Sequence, residues 1–195
     1  MAINFPTALT LLRIVLIPVL VLVFYLPRPW ANEAALMIFI AAGITDWADG
    51  WIARRWHLTS ALGAFLDPVA DKLIVAVALV LILERHPETL LALSVAVIIG
   101  REITVSALRE WMAELGQRAR VKVSSAGKIK TILQMVAIGF LLYGEPLLGL
   151  PVLELGRWLL LAAAVLTIWS MIIYLRSAWP AIREEQINPS RSQSQ

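Results

Sequence analysis

The sequence predicts an all-α, polytopic membrane protein with six transmembrane helices and short loops. Of its 195 residues, 59% are hydrophobic and only 16% are charged, and the mean hydropathy is +0.77. A helix that crosses a bilayer needs roughly 20 mostly apolar residues, so six such helices would use nearly the whole chain. We therefore expect a single six-helix domain over residues 1–182, followed by a flexible polar tail over 183–195.

Polar residues mark the boundaries of the first three predicted helices. The first contains Pro18, which a membrane helix tolerates when neighbours satisfy the carbonyl that proline frees. Asn32 is the expected N-cap of the second, which stops at 54–55, and Thr59 or Ser60 caps the third. The six predicted helices lie at about 8–26, 34–55, 60–83, 87–110, 125–143 and 155–175.

The last three helices follow the same logic. The segment 86–88 contains a proline and a glutamate, which suit the beginning of the fourth helix. Ser124 and Ser125 open the fifth helix, and an uninterrupted apolar run forms the sixth.

Lysines and arginines are divided unequally between alternating loops. One side holds Arg54, Arg55, Arg118, Arg120, Lys122, Lys128, Lys130, Arg176, Arg183 and Arg191, and the other holds Arg28, Arg85 and Arg157. Because cytoplasmic loops carry the excess of basic residues, the first set is predicted to face the cytoplasm.

Composition also excludes several classes of protein. The chain has no cysteine, which rules out disulfides, thiolate metal sites and cysteine nucleophiles. A net charge of +3 and a pI near 9.6 are compatible with nucleic-acid binding. The basic residues, however, occupy short loops where orienting charge is expected, so no nucleic-acid partner is predicted.

Four aspartates inside two apolar runs are the candidate chemical site. Asp46 and Asp49 are three residues apart, and Asp67 and Asp71 are four apart, so each pair projects from one face of its helix. The loop between the second and third helices is short, and an antiparallel hairpin of these helices would set the two pairs opposite each other. We expect all four carboxylates to share one small volume near the cytoplasmic boundary.

Clustered carboxylates need a counterion, because like charges repel and each costs several kcal/mol to remove from water. The nearby basic residues in the sequence are Arg54, Arg55 and Lys72, and pairing with them is the structural alternative. Oxygen ligands without cysteine or histidine favour Mg²⁺, Mn²⁺ or Ca²⁺. Gly50 and Gly63 would open space for a bulky ligand, although glycines also serve close helix packing.

The aspartates belong to a longer pattern, Asp46-x-x-Asp49-Gly50-x-x-Ala53-Arg54, eight residues, Gly63-x-x-x-Asp67-x-x-x-Asp71. This pattern resembles the signature of the CDP-alcohol phosphotransferases, a family of six-helix membrane enzymes. The resemblance implies that the four aspartates hold two divalent cations, Mg²⁺ or Mn²⁺, on the pyrophosphate of a CDP-linked donor. It also implies that Asp71 is the general base, and that the donor is contacted by Thr10, Gly50, Ala53, Arg54, Ser60 and Gly63. Arg54 is alternatively an ordinary positive-inside anchor.

Further motifs resemble the bacterial branch of this family that joins CDP-diacylglycerol to sn-glycerol 3-phosphate. They are Asn4-x-Pro6-Thr7-x-x-Thr10-x-x-Arg13, Ala70-Asp71-Lys72, Arg101-Glu102-Ile103 and the run from Leu108 to Gly116. The resemblance implies formation of phosphatidylglycerophosphate and CMP at the cytoplasmic face of the bacterial inner membrane. It further implies a homodimer.

An acceptor that carries a phosphate requires cations. Arg101 and Arg109 are eight residues apart and so share a face of the fourth helix, while Lys128 and Lys130 open the fifth. These four are the candidate glycerol 3-phosphate site, although helix-end lysines and arginines also extend to lipid headgroups and Arg109 can pair with a neighbouring glutamate.

Three other functions remain open from the sequence. The acceptor can differ, with inositol phosphate, serine or phosphatidylglycerol as alternatives, because the aspartate motif reports the donor. A cation transporter also uses intramembrane carboxylates, but these acids crowd one end of the helices. A structural scaffold would leave the fixed spacing unexplained.

Overall fold

The computed structural model describes residues 5–56, 61–114 and 125–187, with only the backbone described at 50, 53, 54, 56, 61, 64, 109, 113, 114, 125–128 and 177–187. This part of the chain forms six helices: α1 (Phe5–Phe24), α2 (Ala31–Trp56), α3 (Ala61–Arg85), α4 (Thr89–Glu114), α5 (Ser125–Tyr143) and α6 (Val152–Ile187). The described residues contain no β-strand beyond an isolated bridge between Leu147 and Leu150. The all-α class and the order of six helices are confirmed.

Three of these helices are long and apolar enough to cross a membrane. They are α1 over Phe5–Phe24, the Thr89–Met112 part of α4 and the Val152–Arg176 part of α6. Helices α2 and α3 are of similar length, but they carry the four aspartates, and charged side chains make a helix less favourable in hydrocarbon. The apolar part of α5, Ile129–Tyr143, is shorter. By length and composition, three helices are therefore candidate membrane spans, and six spans remain a prediction.

Several helix ends differ by a few residues from the predicted ones, and two differences bear on specific predictions. Helix α2 begins at Ala31, and its first turn contains the bond from the Ala34 amide to the Trp30 carbonyl, so Asn32 is not the N-cap. Helix α6 continues past the predicted end at 175 to Ile187. The division into a domain over 1–182 and a tail over 183–195 stays a prediction, because 188–195 lies outside the described residues.

The chain divides into two compact units. The first comprises residues 1–88 and 136–158, and the second comprises 89–135 and 159–195. The first unit therefore contains α1, α2 and α3 together with the end of α5 and the beginning of α6. The second contains α4, most of α5 and most of α6.

Among the described residues of the first unit, α1 packs extensively against both α2 and α3, whereas α2 and α3 contact each other much less. The two helices nevertheless meet at their aspartates, because oxygens of Asp46 and Asp49 of α2 and of Asp67 of α3 lie within 4.8 Å of one another. The hairpin itself stays a prediction, since 57–60 lies outside the described residues. The buried face of α1 is a stripe at helical spacing, formed by Thr10, Arg13, Ile17, Leu20 and Phe24. Its position between two aspartate-bearing helices brings a buried arginine to the acids.

The partners of α1 present small side chains to the interior. Ala35 and Ala42 of α2 and Ala70 and Ala78 of α3 are all buried, and alanine allows helix axes to approach closely. Large apolar residues on the other faces are exposed, including Leu22 at 69% and Phe65 at 69%. Exposed apolar faces of this kind suit contact with lipid.

Arg85 joins the three helices at the end opposite to Arg13. Its Nη1 donates to Oδ1 of Asn32 at 2.6 Å, and its Nη2 donates to the Phe24 carbonyl at 3.0 Å. The guanidinium carbon lies 3.7 Å from the centroid of the Phe24 ring. One side chain of α3 thus satisfies a C-terminal carbonyl of α1 and binds the first turn of α2.

Candidate active site

Helix α1 places a fully buried arginine beside the aspartates. Arg13 is 0% exposed, and its guanidinium contacts one carboxylate oxygen from each of three aspartates. The nitrogen–oxygen distances are 2.8 Å from Nη1 to Asp46 Oδ1, 2.5 Å from Nη2 to Asp49 Oδ2 and 3.4 Å from Nη1 to Asp67 Oδ1. We call these four residues the Arg13–aspartate cluster. It ties α1 to both α2 and α3.

The arginine corrects the expectation about basic partners. The sequence suggested Arg54, Arg55 and Lys72 because they are near in the chain, whereas Arg13 lies 36 residues from Asp49 and 54 from Asp67. A signal was present, since an arginine inside an otherwise apolar run requires an anionic partner or water. Sequence spacing did not show which acids it would meet.

Burial changes steeply across the cluster. The side chains of Arg13 and Asp49 are 0% and 4% exposed, whereas those of Asp46 and Asp67 are 42% and 45% exposed. Arg13 therefore contacts the carboxylates from the protein interior, and the open side of the cluster belongs to Asp46 and Asp67. A ligand from outside would meet carboxylates before it met the guanidinium.

The three carboxylates have the spacing and chemistry of a divalent metal site. Each offers an oxygen, and these oxygens lie within 4.8 Å of one another. Hard cations bind carboxylate oxygens at about 2.0–2.6 Å, so oxygens up to about 4–5 Å apart can share one ion. Three carboxylates and one guanidinium also leave a formal charge of −2, which matches a divalent cation.

Asp71 lies one helical turn after Asp67 but outside this three-membered group. Its side chain is exposed, and it makes an interaction of its own in the structure. Its assignments as fourth metal ligand and general base stay predictions.

The predicted donor-binding residues are placed unevenly. Thr10 is buried, and its hydroxyl donates to the Pro6 carbonyl at 3.2 Å, one turn before Arg13 on the same face. Gly63 is partly buried near the beginning of α3. The structure describes only the helical backbone at Gly50, Ala53 and Arg54 of α2, and Ser60 lies outside the described residues.

In the second unit, a glutamate holds two of the predicted acceptor cations. Glu102 accepts hydrogen bonds from Arg101 Nη1 at 2.9 Å and from Lys130 Nζ at 2.6 Å. Lys130 is 2% exposed and Arg101 is 7% exposed, so neither extends to a surface. We call Arg101, Glu102 and Lys130 the Glu102 triad. The sequence placed the two cations on separate helices, and the structure brings them to one carboxylate.

Two residues of α6, Ser170 and Tyr174, lie close to Arg101 of the triad. Arg101 Nη2 lies 3.5 Å from Ser170 Oγ, and its guanidinium carbon lies 5.6 Å from the centroid of the Tyr174 ring. Thr167 is fully buried, and its hydroxyl has no hydrogen-bond partner among the described residues. The other two predicted acceptor residues, Arg109 and Lys128, lie on α4 and α5 with only their backbone described.

Apolar helices and aspartates clustered at the motif positions are the features expected of the family that the aspartate pattern resembles. The family model for CDP-alcohol phosphatidyltransferases matches residues 3–169. The chain belongs to the CDP-alcohol phosphatidyltransferase family, which confirms the resemblance drawn from the aspartate pattern.

Comparison with individual proteins indicates which members of the family the chain resembles. Proteins named CDP-diacylglycerol–glycerol-3-phosphate 3-phosphatidyltransferase from Shigella flexneri serotype 5b (strain 8401) and Escherichia coli (strain K12) are each 53% identical to the chain over 178 residues. The matched region covers 91% of this chain and 96% of each relative. This likeness confirms the branch of the family indicated by the sequence motifs.

Proposed function

We propose that this chain transfers the phosphatidyl group of CDP-diacylglycerol to sn-glycerol 3-phosphate and releases CMP. The observation that carries the proposal is the group of three carboxylates within 4.8 Å at the positions of the family motif. The names of relatives 53% identical over most of the chain support the two substrates. The product is phosphatidylglycerophosphate, a precursor of phosphatidylglycerol.

Asp46, Asp49 and Asp67, with Asp71 as the proposed fourth ligand, hold two divalent cations, Mg²⁺ or Mn²⁺. When bound, such cations neutralise the pyrophosphate of the donor and stabilise the leaving CMP. The open side of the Arg13–aspartate cluster, formed by Asp46 and Asp67, is where the donor pyrophosphate approaches. Thr10, Gly50, Ala53, Arg54, Ser60 and Gly63 are the proposed contacts to the rest of the donor.

Asp71 is the proposed general base. The primary hydroxyl of sn-glycerol 3-phosphate attacks the phosphorus that carries the diacylglycerol, its proton passes to the Asp71 carboxylate, and the bond to CMP breaks with its electron pair on CMP. Exposure suits this role because an exposed carboxylate can take up a proton and return it to water.

Arg101 and Lys130 are the proposed ligands of the acceptor phosphate, together with Arg109 and Lys128. Burial strengthens a charge-assisted hydrogen bond, and both described cations are almost fully buried. Glu102 pairs with both cations and holds them close together. A phosphate dianion can then share the two cations with Glu102.

The finer cellular description is also part of the proposal. Six membrane spans and an active site that faces the cytoplasm follow from the apolar runs and from the distribution of lysine and arginine. A place in the bacterial inner membrane follows from the family resemblance. The homodimer stays a prediction from the family resemblance.

The decisive assay follows CMP release from CDP-diacylglycerol by purified protein in detergent. We expect release with Mg²⁺ or Mn²⁺ and sn-glycerol 3-phosphate, and none with serine, inositol phosphate or phosphatidylglycerol. Release with serine alone would reassign the acceptor. Full activity in EDTA would contradict the metal-dependent mechanism.

A further inference from the structure

We propose that Arg13 is the positioning residue of the metal site, which holds the three carboxylates from the buried side so that their open side binds the cation. The inference rests on the proposed metal-dependent transfer and adds a role for a residue outside the aspartate motif. Its first support is geometric, because one guanidinium contacts Asp46, Asp49 and Asp67 at 2.5–3.4 Å.

The burial gradient shows from which side the arginine acts. Arg13 is 0% exposed and comes from α1, whereas Asp46 and Asp67 are nearly half exposed on α2 and α3. Each carboxylate has two oxygens, so one can bond the guanidinium while the other contacts a cation. Carboxylates that ligate metals are commonly held by such hydrogen bonds.

The charge of the three carboxylates explains why residue 13 needs a positively charged side chain. Without Arg13, three carboxylates would lie within 4.8 Å of one another with Asp49 almost fully buried, and the helices would tend to separate until metal arrived. With Arg13 the formal charge of the cluster is −2, and the ligands are assembled in advance. The planar guanidinium donates to carboxylates of two helices at once, which the single ammonium of lysine does less well.

The test is Mn²⁺ binding to the full-length protein in detergent, measured by the loss of the free-ion electron paramagnetic resonance signal. We expect Arg13→Lys to weaken Mn²⁺ binding by about tenfold and Arg13→Gln by up to about 100-fold. The matched control is Arg157→Lys, because Arg157 also pairs with two carboxylates, Glu88 and Glu154, in the same unit.

A second measurement separates positioning from a general loss of structure. In Arg13→Lys, excess Mn²⁺ should restore CMP release to at least half of the wild-type rate, since the missing function is assembly of the site. Unchanged or tighter Mn²⁺ binding in Arg13→Lys would overturn the inference, as would a rate that metal does not restore. If Arg13→Gln does not fold, Arg13→Lys alone decides.

Measurements on the wild-type protein show whether a negative result contradicts the role of Arg13 or the proposed function. If the wild type binds Mn²⁺ and releases CMP, and Arg13→Lys does both equally well, the proposed function stands and Arg13 has no positioning role. Wild-type protein that binds Mn²⁺ through Arg13-dependent ligands but releases no CMP would contradict the proposed reaction alone.

Discussion

Arg13 donates a 2.5 Å hydrogen bond from Nη2 to Oδ2 of Asp49, a carboxylate that is 4% exposed. Removing one partner of a buried charge pair of this kind destabilises the folded protein by about 3–5 kcal/mol, because the other charge is left buried without compensation. The pair fastens α1 to α2 inside the candidate metal site. The Arg13–Asp49 pair therefore stabilises the first unit and also holds one of the proposed metal ligands.

Asp71 is expected to be needed for turnover but not for folding. Asp71→Asn should lower kcat by about 10²–10⁴-fold, since the amide cannot accept the proton of the attacking hydroxyl. The side chain is exposed, so the free energy of unfolding should change by only about 0.5 kcal/mol. CMP release and thermal unfolding measure the two effects. Glu84→Gln, an exposed acid on the same helix, should leave both unchanged, and a near-normal rate in Asp71→Asn would remove the assignment.

The Glu102 triad predicts a selective loss of acceptor affinity. Lys130→Gln should raise KM for sn-glycerol 3-phosphate by about 10–100-fold, because a hydrogen bond to a charged group contributes about 1.5–3 kcal/mol. The KM for CDP-diacylglycerol should stay constant. Steady-state kinetics with each substrate varied in turn test this, with Arg157→Gln as the control. An equal rise in both KM values would indicate a general defect instead.

Arg85 is predicted to stabilise the first unit without a part in catalysis. Arg85→Met removes two hydrogen bonds and the contact with the Phe24 ring, and it should lower the free energy of unfolding by about 2–3 kcal/mol. Unfolding by denaturant, followed by circular dichroism, measures the change. Arg28→Met, at an exposed position, is the control. CMP release well below the unfolding transition should stay close to wild type, and a large loss there would contradict a purely structural role.

His86 predicts how stability depends on pH. Burial lowers the pKa of His86 below its usual 6.5, and the nearby Arg157 and Arg85 lower it further, while Glu88 opposes them. The unfolded chain therefore binds a proton at a higher pH than the folded protein does. The stability from neutral His86 is fully present above about pH 6.5 and is lost as the pH falls toward the lower folded-state pKa.

The variant His86→Gln should flatten this dependence. Between pH 8 and pH 5.5, its melting temperature should fall less than that of the wild type. His57→Gln changes the other histidine of the sequence and should keep the wild-type slope. An identical slope in His86→Gln would show that other groups govern the transition.

Much of the architecture was predictable because its signals are local. Long apolar runs separated by short polar segments predicted six helices, and fixed spacing within α2 and α3 predicted the aspartate set. The N-cap prediction for Asn32 was wrong because it used local sequence alone. Its side chain suits an N-cap, yet it lies inside the first turn of α2, where Arg85 from 53 residues away binds its oxygen.

The sequence by itself determined the helical class, the aspartate pattern and the family, since these depend on composition and on spacing along one segment. Only the tertiary structure decided that α1 packs against both α2 and α3 and that Arg13 meets three aspartates there. The same holds for Arg101 and Lys130, which meet at Glu102 from different helices. The physical reason is that a buried charge is compensated by whichever opposite charge packing brings near, and packing depends on side-chain shape across helices that are distant in the chain.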